Sequence, residues 1–343
     1  MKKAIIMTSL IAIYTNSANA SFEHIGTIVT HNIANTQHTI NQLFFSNSAF
    51  KQNVSQSYKN NKNLYGHAPM YGKMRTYGEY NDDGSFGRSG GDTYNSVHPQ
   101  NIWFDWQHNT NKVNYTSIPV LKNNTDIVIA GITNAPSKTS KWGMYAGYIN
   151  SRQDNSTTDI KNQGGYIGIH SGFTINNFST YATLTGGILD TSDVSLSDTY
   201  TNMWLSGNLK ASYDWNLDTT FTLQPAVHIG YTWIASGNYT AVTNEKVTND
   251  NTNIFTITPE ISAIKHIGNN WYGTLGVKYI ISHIDSNSYI NNIVIPELNY
   301  DNYFEYAINI CKKFNNTDIH ATFGRHDGHL YGWFGNLGIR YSF

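Results

Sequence analysis

The strongest regularity in the chain is an alternation of apolar and polar side chains with a period of two. Successive residues of a β-strand face opposite sides, so this period predicts strands with one apolar face each. Tyr331, Trp333, Gly335, Leu337, Ile339, Tyr341 and Phe343 make one face of the last segment; Gly332, Phe334, Asn336, Gly338, Arg340 and Ser342 make the other. Upstream, Leu223, Pro225, Val227, Ile229, Tyr231 and Trp233 alternate with Thr222, Gln224, Ala226, His228, Gly230 and Thr232. Segments beginning near Met203, Phe255, Leu275, Phe304 and Ile319 repeat the pattern. Five weaker ones, Ile102–His108, Asp126–Asn134, Trp142–Ser151, Gly164–Gly172 and Phe178–Gly187, bring the total to twelve.

Alternation alone fits a soluble β-sandwich as well. Two features favour a membrane. The segments run to about ten residues, the length of a tilted spanning strand, against five or six in ordinary sheets. Their polar faces also hold few charges. Composition agrees: charged residues are 13%, half the roughly 25% of soluble domains, while aromatics reach 14%. Apolar residues outward and uncharged polar residues inward give a negative mean hydropathy even though every strand has a lipid face. The expected fold is therefore all-β, a transmembrane antiparallel up-and-down barrel of about twelve strands. By parity, Leu223, Val227, Ile229, Tyr231 and Trp233 face lipid, and Asp105, Lys210, Asp214, Glu260, Lys278, Glu305 and Arg340 line the lumen. Arg at Val227 is expected to be costly, and Arg at the neighbouring inward His228 to be tolerated.

The two ends refine the picture. Met1-Lys2-Lys3, the apolar stretch Ala4–Tyr14 and the small-x-small Ala18-Asn19-Ala20 read as a signal peptide spanning 1–20, cleaved before Ser21. Phe343 closes an aromatic alternating strand, so Phe343 and Tyr341 are candidates for an assembly signal. The expected location is the outer membrane of a Gram-negative bacterium. Expected partners are outer-membrane lipid, the barrel-assembly machinery and periplasmic chaperones during export. Short connections such as Asn216–Thr220 and Gly268–Asn270 suit the periplasmic side, and longer ones, Asp190–Thr201, Ala235–Asn253 and Asp285–Asn299, the outside.

Residues 101–343 resemble the β-domain of autotransporters, the type V secretion family. The resemblance rests on Ile102-Trp103-Phe104-Asp105, Trp142-Gly143-Met144-Tyr145-Ala146-Gly147-Tyr148, Leu223-Gln224-Pro225, Ile257-Thr258-Pro259-Glu260 and Leu337-Gly338-Ile339-Arg340-Tyr341-Ser342-Phe343. It implies twelve strands, a helix through the pore and a passenger delivered to the cell surface. The departure is the passenger: residues 21–100 are short and show no repeat from which to build a β-helix. Phe22–Phe44 carries Ile25, Val29, Ile33, Ile40 and Leu43 roughly on one helical face, which suits a pore helix or, equally, an extended arm. Tyr71–Tyr80 reads as an extra strand or a small surface segment, and Asp82–Asp92 as a loop.

Other chemistry is thin. Net charge is −1 with no basic stripe, which excludes a nucleic-acid reader, and the single Cys311 builds neither a disulfide nor a thiolate metal site. His326-Asp327-Gly328-His329 offers metal-ligand types but reads as a polar turn before the last strand. Asn81-Asp82-Asp83-Gly84 lacks the Glu that closes an EF-hand loop, and Asn155-Ser156-Thr157 is one sequon in an Asn-rich chain. No motif calls for a cofactor or a catalytic role. Two functions stay open: a translocator with a minimal N-terminal segment, and a passive channel or surface-structural barrel that exports nothing.

Overall fold

The computed structural model describes residues 100–343, apart from 116–117, 138, 155–158, 194–197, 236–237, 241–245, 286–287, 291–292 and 296–301. The expectations for the signal peptide, Phe22–Phe44, Tyr71–Tyr80, Asn81–Gly84, Asp82–Asp92 and the Asn155 sequon lie outside the described residues.

The strands are β1 (Gln100–Tyr115), β2 (Ile118–Asn134), β3 (Ser140–Asp154), β4 (Asp159–Ile175), β5 (Phe178–Asp193) and β6 (Asp198–Tyr213), then the two-residue β7 (Trp215–Asn216). They continue with β8 (Phe221–Ala235), β9 (Tyr239–Thr240), β10 (Lys246–Asn249), β11 (Thr252–Gly268), β12 (Trp271–Asp285), β13 (Ser288–Ile290) and β14 (Ile293–Ile295). The last three are β15 (Tyr303–Phe314), β16 (Thr317–Gly328) and β17 (Leu330–Ser342). One 13-stranded antiparallel sheet holds all but β9, β10, β13 and β14. Its short member β7 only prolongs the β6–β8 hairpin, through Trp215↔Leu223 and Asn216↔Thr222, which leaves twelve full strands. The sheet closes on itself: β17 pairs with β1 from Asn101↔Ser342 to Val113↔Leu330. Phe343 N–H donates to Gln100 O at 3.0 Å, fastening the seam at its lower end.

At the end where the seam begins, the connections are tight. Asn176, Asn269, Asn270 and Asn315 all have positive φ, which asparagine tolerates better than other side chains. Asn269 and Asn270 together satisfy the φ > 0 demand of a type I′ hairpin. In the turn between β7 and β8, Asp218 Oδ1 accepts from the N–H groups of Thr220 (2.5 Å) and Phe221 (2.7 Å) and from the Thr220 hydroxyl (2.8 Å). Those bonds, the Thr220 N–H foremost, hold its carboxyl below the usual range. The turn's support is therefore complete above the ordinary carboxylate pKa and fades as pH falls through the lowered one.

The opposite end carries the longer connections and is the outer side by that asymmetry. There, β9, β10, β13 and β14 form a separate four-stranded sheet, in which β10 pairs with β13 and so ties the β8–β11 connection to the β12–β15 connection. Strands are longer than the alternation suggested, 12–17 residues in the barrel. Asp190–Thr201, expected as a long loop, is mostly ladder: Thr191 pairs with Tyr200 and Asp193 with Asp198. Thr, Asp and Ser prolong the strands where there is no lipid face to impose alternation, and so resemble loop composition.

Val227, Ile229, Tyr231 and Trp233 are exposed on the outer wall, and Leu223 there is half-buried. Phe343 and Tyr341 are exposed on the same surface with stacked rings, centroids 6.2 Å apart. A midplane cation on this wall has no partner, so Val227→Arg should cost about 2–4 kcal/mol. Urea-driven unfolding from lipid vesicles measures it, with Val227→Leu expected to match the parent.

Candidate functional site

Asp105, Lys210, Glu260, Lys278, Glu305 and Arg340 are buried on the inner face, and Asp214 is half-buried near the tight-turn end. Register turns these separate residues into a belt. Lys210 faces His228 across β6–β8, Glu260 faces Lys278 across β11–β12, Lys278 faces Glu305 across β12–β15, and Glu305 faces His326 across β15–β16. Six contiguous strands thus carry one interlocked row.

Its bonds form two repeats of Lys, Glu and His. Lys210 Nζ donates to Glu260 Oε2 at 2.9 Å, and His228 Nε2 lies 2.5 Å from the same oxygen. Ser262 Oγ donates to the other oxygen at 2.8 Å. In the second repeat Lys278 Nζ donates to Glu305 Oε1 at 2.8 Å, and His326 Nε2 lies 3.3 Å from Glu305 Oε2. His326 Nδ1 reaches Asn111 Oδ1 at 3.2 Å, carrying the row past β17 to β1. A carboxylate only accepts, so each histidine presents its Nε2 proton to its glutamate. Burying any one of these charges alone would be prohibitive; held together, each has a counter-charge and oriented dipoles.

A second group lies toward the tight-turn end. Asp105 Oδ1 is 2.6 Å from His320 Nε2, a close contact without hydrogen-bond alignment. Arg340 stands opposite Asp318 in the β16–β17 ladder and interacts electrostatically with Asp318 and Asp105. Gly338 makes room for the group: a Cβ there would overlap both Asp105 Oδ1 and the His320 ring. Asp214 Oδ1 accepts from Gln224 Nε2 at 2.5 Å.

The remaining inner wall sets aromatic and apolar side chains among uncharged polar ones such as Gln107, Asn123, Thr125 and Ser151. Trp103, Tyr145, Tyr166 and Trp204 lie in a row with centroids 6.1–6.5 Å apart, flanked by His170. Ile127, Ile129 and Ile149 stand beside them on β2 and β3, each with 0% exposure. Phe334, on the inner face of β17 with Leu330, stacks on His326 with centroids 5.0 Å apart. It also lies over Gly324, where a Cβ would meet its ring.

Two expectations need correction. His326 does not sit in a turn: β15–β16 pairing runs on to Tyr303↔Gly328, so His326 is an inward strand residue bonded to Glu305. Arg at His228 is not the mild change expected: the ring is wedged between Glu260 and Lys210, so a guanidinium there would add a second cation to a buried pair. Sequence reasoning also missed His320, Asn111 and the inward aromatics. Parity gave their face; their partners sit on distant strands and needed the register. Among the described residues no group of three metal-ligating side chains occurs.

A family model described as the autotransporter β-domain matches residues 97–295, more than half of the chain. This chain belongs to the autotransporter β-domain family. The fold of solved autotransporter barrels agrees. The β-domain of the Bordetella autotransporter BrkA superposes with a TM-score of 0.58 at 12% identity, covering 71% of this chain and 99% of that one. The translocator domain of the autotransporter NalP from Neisseria meningitidis gives 0.56 at 8% identity, over 71% and 88%. The transport unit of the autotransporter AIDA-I from Escherichia coli gives 0.54 at 13%, over 84% and 99%. No curated protein matches the chain by sequence. As an autotransporter β-domain, the barrel is an outer-membrane translocator unit and not itself a catalytic one.

Removing one member of a buried pair strands the other. Glu260→Ala should destabilise the barrel by about 3–5 kcal/mol, while the double change Lys210→Met with Glu260→Leu should recover most of that loss. Unfolding in vesicles of the single and double variants measures the coupling.

Proposed function

We propose that this autotransporter barrel holds and exposes a minimal N-terminal segment, residues 21–100, released from the signal peptide 1–20 after export. The supporting observation is the burial of apolar side chains on the inner wall. Eight strands leave an interior that side chains just fill, and twelve leave more. Yet Ile127, Ile129 and Ile149 face inward with no exposure at all. Apolar wall in a water-filled pore would stay exposed, so an occupant with an apolar face fits the lumen. The Ile25, Val29, Ile33, Ile40 and Leu43 face of Phe22–Phe44 supplies one. The aromatic and isoleucine wall would take that face, and the Lys–Glu–His belt its polar side. On this reading the chain as a whole is not an enzyme and needs no cofactor.

Single-channel current in planar bilayers tests it. The mature chain should be electrically closed, and removal of residues 21–62 should open a stable conductance. A large steady current from the intact chain would instead make it a passive channel.

Phe343 and Tyr341 serve, on this reading, as the signal presented to the barrel-assembly machinery, with periplasmic chaperones carrying the chain there. Removing Phe343 should lower outer-membrane levels and leave chain in the periplasm. Protein that does reach the membrane should unfold like the parent, because the Asn101–Val113 seam remains.

A further inference from the structure

On the outer wall, at the end with the long connections, Lys112 of β1 and Lys122 of β2 stand directly opposite one another. Both are exposed. Side chains so paired start about 5 Å apart, and like charges placed this way repel. Among the described residues neither lysine has a carboxylate within ion-pair distance, although Asp154 lies opposite Lys122 on β3. The contrast nearby is sharp: Arg152 on β3 is held by both oxygens of Asp159, at 2.9 and 2.8 Å.

The two lysines also have a defined setting. Lys112 Nζ lies 5.8 Å from the centre of the Tyr331 ring, its cross-strand neighbour on β17. Two residues further down β17, Trp333 is exposed on the same face and pairs with Thr110, the next outward position of β1. Arg325 of β16 lies over the Trp333 ring at 5.2 Å, with Asp327 at a loose 3.7 Å. Below this level the outer wall of β17 turns apolar, with Leu337 exposed, while β1 passes through His108, paired with Asp126 of β2 at 3.0 Å, before turning apolar at Trp106 and Phe104. Tyr and Trp of barrels gather at the membrane interface, so Trp333 and Tyr331 mark the rim. Lys112 and Lys122 then stand above the His108–Asp126 step, on the headgroup side of that rim.

We propose that Lys112 and Lys122, with Arg325 at their side, form a binding site for a phosphate group of an outer-leaflet glycolipid. A phosphate placed between the lysines turns their repulsion into two charge-assisted contacts. Arg325 and the aromatic pair would hold the sugar and glycerol-like portions of the same headgroup against the wall. The commitment is to a lipid phosphate, because the wall beside the site on β16 and β17 is apolar from Trp333 and Phe323 downward.

The full chain, refolded into phosphatidylcholine vesicles with or without admixed bisphosphorylated lipid A, tests this by its thermal unfolding midpoint. The phosphorylated glycolipid should raise the midpoint of the parent. It should leave the Lys112→Gln, Lys122→Gln double variant unmoved. In plain phosphatidylcholine the double variant should unfold no earlier than the parent, since it loses a repulsive pair, and that arm shows that it folds. An equal rise in the double variant would overturn the site, as would an early-unfolding double variant in plain lipid. Inorganic phosphate producing the same rise in phosphatidylcholine would overturn the lipid assignment.

Discussion

Everything in this molecule follows from one demand: inside hydrocarbon no backbone N–H or C=O can be left without a partner. A sheet meets it only by having no edge, so the pairing of β17 with β1 is what makes the other eleven ladders admissible. Closure then fixes direction. Every strand must show one face to lipid and one to the interior, and the period of two in the sequence is the imprint of that division. The interior face, freed from lipid, accepts charge, provided each charge finds its opposite there.

The belt of Lys210, Glu260, Lys278 and Glu305 shows how narrow that allowance is. These residues come from four strands, and a one-residue slip in any ladder would send one of them to the lipid side. Register is set at the tight turns, where Asn269-Asn270 and Asn315 adopt the left-handed conformation. The electrostatics of the lumen are thus anchored by backbone geometry at the rim, many residues away. His228 and His326 complete the arrangement by filling the remaining acceptor positions of the two glutamates.

The alternating strands, their faces and the closing strand were legible because lipid imposes a pattern that one sequence displays. Strand ends were not, since beyond the bilayer nothing enforces alternation, and Thr191 or Asp193 looks like loop while pairing as strand. The parity of Asp105 and Arg340 was readable; their company, His320 and Asp318, was not, because those residues are more than 200 positions from Asp105 and meet it only through closure. His326 was misplaced for a related reason: Asp327-Gly328 is turn chemistry, but the ladder with β15 runs through it.

The small outer sheet has a mechanical meaning. Because β10 and β13 belong to different connections, their pairing laces two neighbouring hairpins together above the bilayer. A force applied to the β8–β11 connection is shared with the β12–β15 connection instead of peeling one hairpin from the wall. Shear at this lacing loads several hydrogen bonds at once, whereas an unlaced loop would yield one contact at a time. The side of the barrel that carries the Lys–Glu–His belt is therefore also the side laced from above.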